Sequence, residues 1–441
     1  MRQLFLGIAA VATSAVSPTG VAAVAYSADP GPSANRAAAQ ANYVRLAEAL
    51  WETVNKNFFD PAMNGVDFVA VRQRYLPLFA TVRTDAEFLD LGNRMIRELK
   101  TSHLDVIPPA GFWERGGTAA QGSASQRLRT SGGRVFHFAS GSGVSAEGFR
   151  PGDEILSPPA DLTGPVGGAG TIRVRGCDGE ERSVPVIYRK GVWPPYHERQ
   201  EIAGPGGRRV LYARIGRFND DTIDFSDELI AAARNADGII LDVRNNSGGS
   251  ITALYLANYF MSGSQPTVTM MGREVLARLG RRPTPRDISE APRVSGKYRA
   301  RDVLAVLRRS GSATFMSEGR GTQGYTGPVS VLVNGRTGSA AEGFAWIMQG
   351  GTDAQIIGRP TAGALIRGQE FELPFGWSVT VPVYGLWGPQ GQSYIDQPVI
   401  PDISTEWTKE DFCSDQDPDL TAAMRVMFPA EPVQGKLAQP R

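Results

Sequence analysis

The stretch VLVNGRTGSAAEGFAWIMQGG, residues 331–351, changes character at its middle. A strand-like apolar run, VSVLVN, ends in turn residues, and Ser339 then opens an apolar helix-like run. A strand turning tightly into a helix is half of a βα unit. Ser339 has two readings. With Glu342 it forms an S-x-x-E capping box, in which the serine satisfies an orphan helix N–H and the glutamate reaches back. Alternatively its hydroxyl is a nucleophile, beside unpaired backbone N–H groups able to hold an oxyanion.

The strand-then-helix order recurs elsewhere in the chain. VLYARIGRF reads as a strand and DFSDELIAAARN as a helix; GIILDVR is a buried strand and SITALYLANYFM a helix. AQIIGRP adds a further strand after the 331–351 unit. Successive βα units predict an α/β fold with a largely parallel core and helices packed on it. Upstream, residues 29–40 read as a flexible lead, and 37–102 as a helical region. Leu46, Leu50, Val54 and Phe58 recur at near-helical spacing, and Thr84 with Glu87 forms a second capping box. Residues 112–135, rich in Gly, Ser and Gln, read as a linker or loop. A β-rich unit follows, with strands in GRVFHFA, TIRVRG and RSVPVIYRK. Between them EGFRPGDEILS resembles the turn of a PDZ domain, though the carboxylate-binding loop of that family is not evident. GVWPPYHERQEIAGPGGRR, at 191–209, reads as a Pro- and Gly-rich junction.

At 441 residues the chain is long enough for two or three domains, and 41% apolar with 21% charged residues is ordinary for a globular protein. A net charge of +1 suggests no nucleic-acid partner. Arg2 followed by LFLGIAAVATSAV and the small residues Ala23–Ala25 reads as an export signal over residues 1–25, with an N-terminal membrane anchor as the alternative. No other apolar run is long enough to cross a membrane. Export would permit, without requiring, a disulfide between the two cysteines, Cys177 and Cys413. There is no H-E-x-x-H and no cysteine cluster, so no metal or cofactor is implied.

A serine nucleophile needs a base. No lysine lies between Lys297 and Lys409, and the chain has three histidines. His137 falls in an alternating strand and reads as structural; His197 falls in the junction and reads as solvated; His103 follows a helix in LKTSHLDV. An oxyanion site could come from LDVRNNSGGS, where two adjacent glycines after a buried strand let backbone N–H groups face a cleft.

GIILDVRNNSGGS, VLVNGRTGSAAEGFAWIMQGG, AQIIGRPTAGA and PVIPDI, in this order, resemble the tail-specific or C-terminal processing serine peptidases. The helical start, from YVRLAEALWETVNKNFF to LKTSHLDV, is similar to the branch containing the tricorn protease core. The likeness spans about residues 43–405. It implies a crotonase-like βα core over 205–405, an N-terminal helical region over 37–105, an inserted PDZ-like unit over 112–190, and a tail over 406–441. It implies Ser339 as nucleophile, with Ala364 where the processing branch has a lysine. The tricorn-like branch instead implies His103 as base, oriented by Ser102, with Gly248 or Gly249 and Ala340 as oxyanion donors. Its late carboxylate falls on Asp396, with Glu370 or Glu372 as fallback. The expected function is an exported serine endopeptidase acting on peptides or proteins, without stable membrane insertion. A non-catalytic binding protein on this fold and an esterase are the alternatives. A carboxylate near His103 is expected to raise its pKa, so that the rate rises through roughly pH 6–7.5.

Overall fold

The structure, a computed structural model, describes residues 32–110, 112, 121–123, 130–131, 134–135, 148–150, 152–188, 196–295, 300–319, 324–414 and 416–429. The expected signal segment and His137 lie outside them.

The strand Val329–Val333 and its neighbour Gly238–Asp242 are buried along their whole length. They lie in a six-stranded sheet of order Ile403–Ser404, Gln355–Gly358, Val329–Val333, Gly238–Asp242, Arg209–Ile215, His197–Ala203. Every pairing is parallel except the last. A parallel sheet must be covered on both faces, and strand alternation sorts its side chains accordingly. Leu211, Ala213, Ile239, Leu241, Val331 and Ile356 turn to a large core shared with helices Asp221–Ala233, Thr252–Ala257 and Ala340–Gly351. Val210, Tyr212, Ile240, Leu332 and Ile357 turn to the other face, covered by Ala423 and Met427 of the helix Pro418–Met427. The segment expected as a tail therefore closes the core sheet.

Its docking is electrostatic as well as apolar. The buried Arg244 guanidinium binds Asp242 at 2.7 Å and reaches Asp417 and Asp419, at the start of that helix, at 2.8 and 2.7 Å. Arg359 adds a second cation on Asp419 at 2.7 Å. Two arginines against three carboxylates leave few buried charges unanswered.

A second sheet runs Asp105–Ile107, Ser378–Trp387, Pro266–Gly272, Ser312–Met316, Arg293–Val294, with Arg367–Glu372 also paired to Ser378–Trp387. Against it pack the N-terminal helices, Phe88 meeting Trp377 edge-on at 4.9 Å between ring centroids. The helix Asp85–Ile96 is capped as its sequence predicts, Thr84 Oγ1 accepting the Glu87 N–H at 3.2 Å.

Three expectations need correction. The supposed lead is helical from Pro32, in Pro32–Asn57, because proline suits the first turn and the alanines after it favour helix. The supposed junction holds the strand His197–Ala203, which pairs antiparallel along Arg209–Ile215. His197 is not solvated: it is half-buried, stacks on Phe225 at 4.7 Å, and its Nε2 lies 3.1 Å from Thr222 Oγ1 and 3.2 Å from Asn219 Oδ1. In the β-rich unit Ala169–Arg175 and Glu181–Ile187 form a hairpin, and the Arg150 N–H donates to Asp153 at 2.6 Å. A disulfide joins Cys177 of this unit to Cys413 of the helix Lys409–Cys413.

Candidate active site

The parallel register Asp242↔Leu332 brings the loops after two adjacent strands to one edge of the sheet. This carboxyl edge is where α/β sheets hold ligands. The two loops are stitched together. Asn245 N–H donates to Asn334 Oδ1 at 3.0 Å, Thr337 Oγ1 to the Val243 carbonyl at 2.9 Å, and Gly338 N–H to the Asn246 carbonyl at 2.9 Å. Ser339 then emerges at φ 52°, ψ −123°, a conformation that costs a non-glycine residue about 1–3 kcal/mol. Gly248, at φ 110°, passes so close that a Cβ there would lie 2.7 Å from Ser339 Cβ and 2.9 Å from Ala340 N. Only glycine fits.

The capping reading of Ser339 holds in half. Serine and glutamate meet the outline of a capping box, but the bond of ordinary length is the Ser339 N–H donating to Glu342 Oε2 at 2.9 Å. Glu342 is fully buried and does more than cap. It accepts from Thr361 Oγ1 at 2.6 Å, Gly363 N–H at 2.6 Å and Ala364 N–H at 2.7 Å. One carboxylate thus fixes the serine turn to the 361–364 loop. Glu342→Gln is expected to lower stability by about 2–5 kcal/mol, since an amide cannot accept on both ends of this set. Denaturant unfolding measures it; a loss under about 0.5 kcal/mol would contradict it.

His103 comes from the helical region, at φ 55°. Its Nδ1 lies 3.2 Å from Ser102 Oγ, and the Ser102 N–H donates to Asp396 Oδ1 at 3.2 Å across 294 residues of sequence. So Ser102, His103 and Asp396 form one chain of contacts. Glu370 is elsewhere engaged, accepting from Ser378 Oγ at 2.6 Å, and Glu372 is exposed on the same strand. Burial pushes the His103 pKa below its ordinary 6.5; Asp105 and Asp396 pull it upward, but less. The expected rise is therefore corrected: desolvation outweighs the neighbouring carboxylates.

His103 and Ser339 line a single cavity of about 200 Å³, without a direct hydrogen bond between them. Its walls are largely apolar, including Met270, Phe315, Phe344 and Leu386. Gly249 and Ala340 line it too, and neither N–H meets an acceptor among the described residues. The Gly248 N–H, by contrast, donates to Asn246 Oδ1 at 2.8 Å. Of the two glycines, Gly249 is the one with a donor to offer. Sequence reasoning did not single out Asn246, Asp105 or Arg367, another lining residue; only the S-x-x-E spacing hinted at the wider role of Glu342.

Residues 209–405 match peptidase family S41, and residues 47–97 match the tricorn protease C1 domain. By that match the core is similar to peptidase family S41. The chain is 24% identical to the putative tricorn protease homolog 2 of Streptomyces coelicolor over 84% of its own length and 31% of that protein's. It is 23% identical to carboxyl-terminal-processing peptidase 2, chloroplastic, of Arabidopsis thaliana over 76% of its length and 63% of that protein's. It thus spans about a third of the tricorn homologs it matches, 31% and 35% of two of them. The photosystem II D1 C-terminal processing protease shares the fold, with TM-score 0.54 and 19% identity over 87% of this chain and 97% of that one. The S41 match contains both stitched loops and the Ser339 turn; His103 lies outside it, six residues beyond the tricorn C1 match.

Proposed function

We propose that the chain is an exported serine endopeptidase with Ser339 as nucleophile and His103 as base. The observation that carries this is the convergence, on one cavity, of Ser339, His103 and two backbone N–H groups without acceptors. Neutral His103 takes the hydroxyl proton as Ser339 attacks the scissile carbonyl. The N–H groups of Gly249 and Ala340 hold the oxyanion, at the N-terminus of the helix Ala340–Gly351. His103 then protonates the leaving amine, and water releases the acyl-enzyme. Ser102 and Asp396 orient the ring. Substrate binding must close the gap between His103 and Ser339.

We read the core as crotonase-like, on its parallel βα units, and the inserted unit as PDZ-like, on its P-G-D turn and hairpin. Export is supported by the N-terminal apolar stretch and the Cys177–Cys413 disulfide, which suits an oxidising compartment. No described helix is long and apolar enough to cross a membrane. A serine-reactive phosphonate is expected to add to Ser339, with its mass located by peptide mapping. An unmodified protein would point to a binding role. Turnover of an ester library but of no peptide would point to an esterase.

A further inference from the structure

Arg367 lines the same cavity, at the start of the strand Arg367–Glu372. Its neighbour Gly368 lies against the base: a Cβ there would stand 3.3 Å from His103 Cβ. The Arg367 side chain is partly buried, and its Nε is shut away from solvent with no hydrogen-bond partner among the described residues. Two other described arginines, Arg72 and Arg182, also bury an unpartnered Nε. Each of them nevertheless places a terminal nitrogen on a carboxylate, Glu48 and Asp153 respectively. Arg367 has no such ion pair among the described residues. Opposite it in the ladder is Tyr384, whose phenol burial keeps protonated and therefore uncharged, and burial pushes the Arg367 pKa down. Among the described residues no carboxylate lines the cavity.

A guanidinium stays charged in a protein, and burying it without a counter-ion is unfavourable. An anion that accepts from a planar fork would satisfy this side chain, which is what a carboxylate does. We propose that Arg367 is a specificity-determining residue that receives a carboxylate of the peptide substrate. The carboxylate is either the free chain terminus or an Asp or Glu side chain near the scissile bond. The inference rests on the reading of this cavity as a peptidase site.

The test uses the full chain carrying Ser339→Ala, so that binding is read without turnover. Apolar hexapeptide libraries are offered with a free C-terminal carboxylate or as the amide, and the amide library with Asp or Asn at each position. The carboxylate form is expected to bind about tenfold or more tightly in one arm, which identifies its source. Adding Arg367→Gln should bring each pair to within about twofold, and Arg367→Lys should keep part of the preference. Equal binding within every pair, binding of neither form, or a preference that survives Arg367→Gln overturns the proposal. Should Arg367→Gln fail to fold by thermal unfolding, Arg367→Lys decides, since an undiminished preference there counts equally against it. The peptidase reading is judged separately on the unmodified chain. Phosphonate labelling and peptide turnover without carboxylate preference sink only the role of Arg367. Carboxylate binding through Arg367 without labelling or turnover sinks the peptidase reading instead.

Discussion

Ser339→Ala is expected to reduce kcat/KM on a peptide substrate by about 10³-fold or more while leaving the fold in place. The chemical loss is complete, because alanine has no atom to attack a carbonyl. The structural loss is small. Removing a capping hydroxyl costs at most about 0.5–2 kcal/mol, and here the bond of ordinary length is made by the backbone N–H to Glu342, which alanine retains. Gly248 packs against Cβ, which alanine also keeps. Alanine inherits the φ of 52° without new bulk. Kinetics paired with denaturant unfolding check this. Retained activity in a folded variant would remove Ser339 from the mechanism. Unfolding of the variant would show that the serine is a structural cap.

The second large effect is in the pH profile. Only neutral His103 can accept the Ser339 proton, so the rate should rise with pH as the imidazolium loses its proton. Burial holds that pKa below 6.5, so the limb should fall below pH 6.5 and the rate should be level through neutrality. Asp396→Asn removes a charge that favours the imidazolium, and should move the limb to lower pH still. His103→Ala should abolish the limb with about 10³-fold or more of the rate, whereas His197→Ala, on an edge strand and not among the residues lining the cavity, should keep the limb. Stability follows the same sign. The folded state binds the His103 proton more weakly than the unfolded chain. This contribution is therefore fully present above the unfolded pKa, near 6.5, and is lost as pH falls through the lower folded value. A limb centred above pH 7, or one that persists in His103→Ala, would exclude His103 as the base.

Much of the molecule was legible locally. The strands Gly238–Asp242 and Val329–Val333, the helix Ala340–Gly351, and Thr84 as a cap all follow from patterns a few residues long. Period and capping are properties of neighbouring side chains, so the sequence carries them without reference to the rest of the chain. The placing of Ser339 at a strand-to-helix turn is of this kind. The strand His197–Ala203 was hidden because its alternation is mostly polar and sits among prolines and glycines, at the sheet edge.

Which distant groups meet, and which backbone donors remain free, depends on the packing of the whole chain. Gly248 and Gly249 are equivalent as letters; Asn246 occupies the N–H of the first and leaves that of the second. Asp396 reaches Ser102 only because the chain closes over 294 residues. The direction of the His103 shift depends on burial outweighing two carboxylates, a balance no spacing encodes. The helix Pro418–Met427 reads as an ordinary tail until the uncovered face of a parallel sheet and the buried Arg244 give it a place. Local patterns fix the elements because their partners lie within one or two turns; solvation, charge pairing and donor satisfaction are settled only when the whole chain has excluded water from the site.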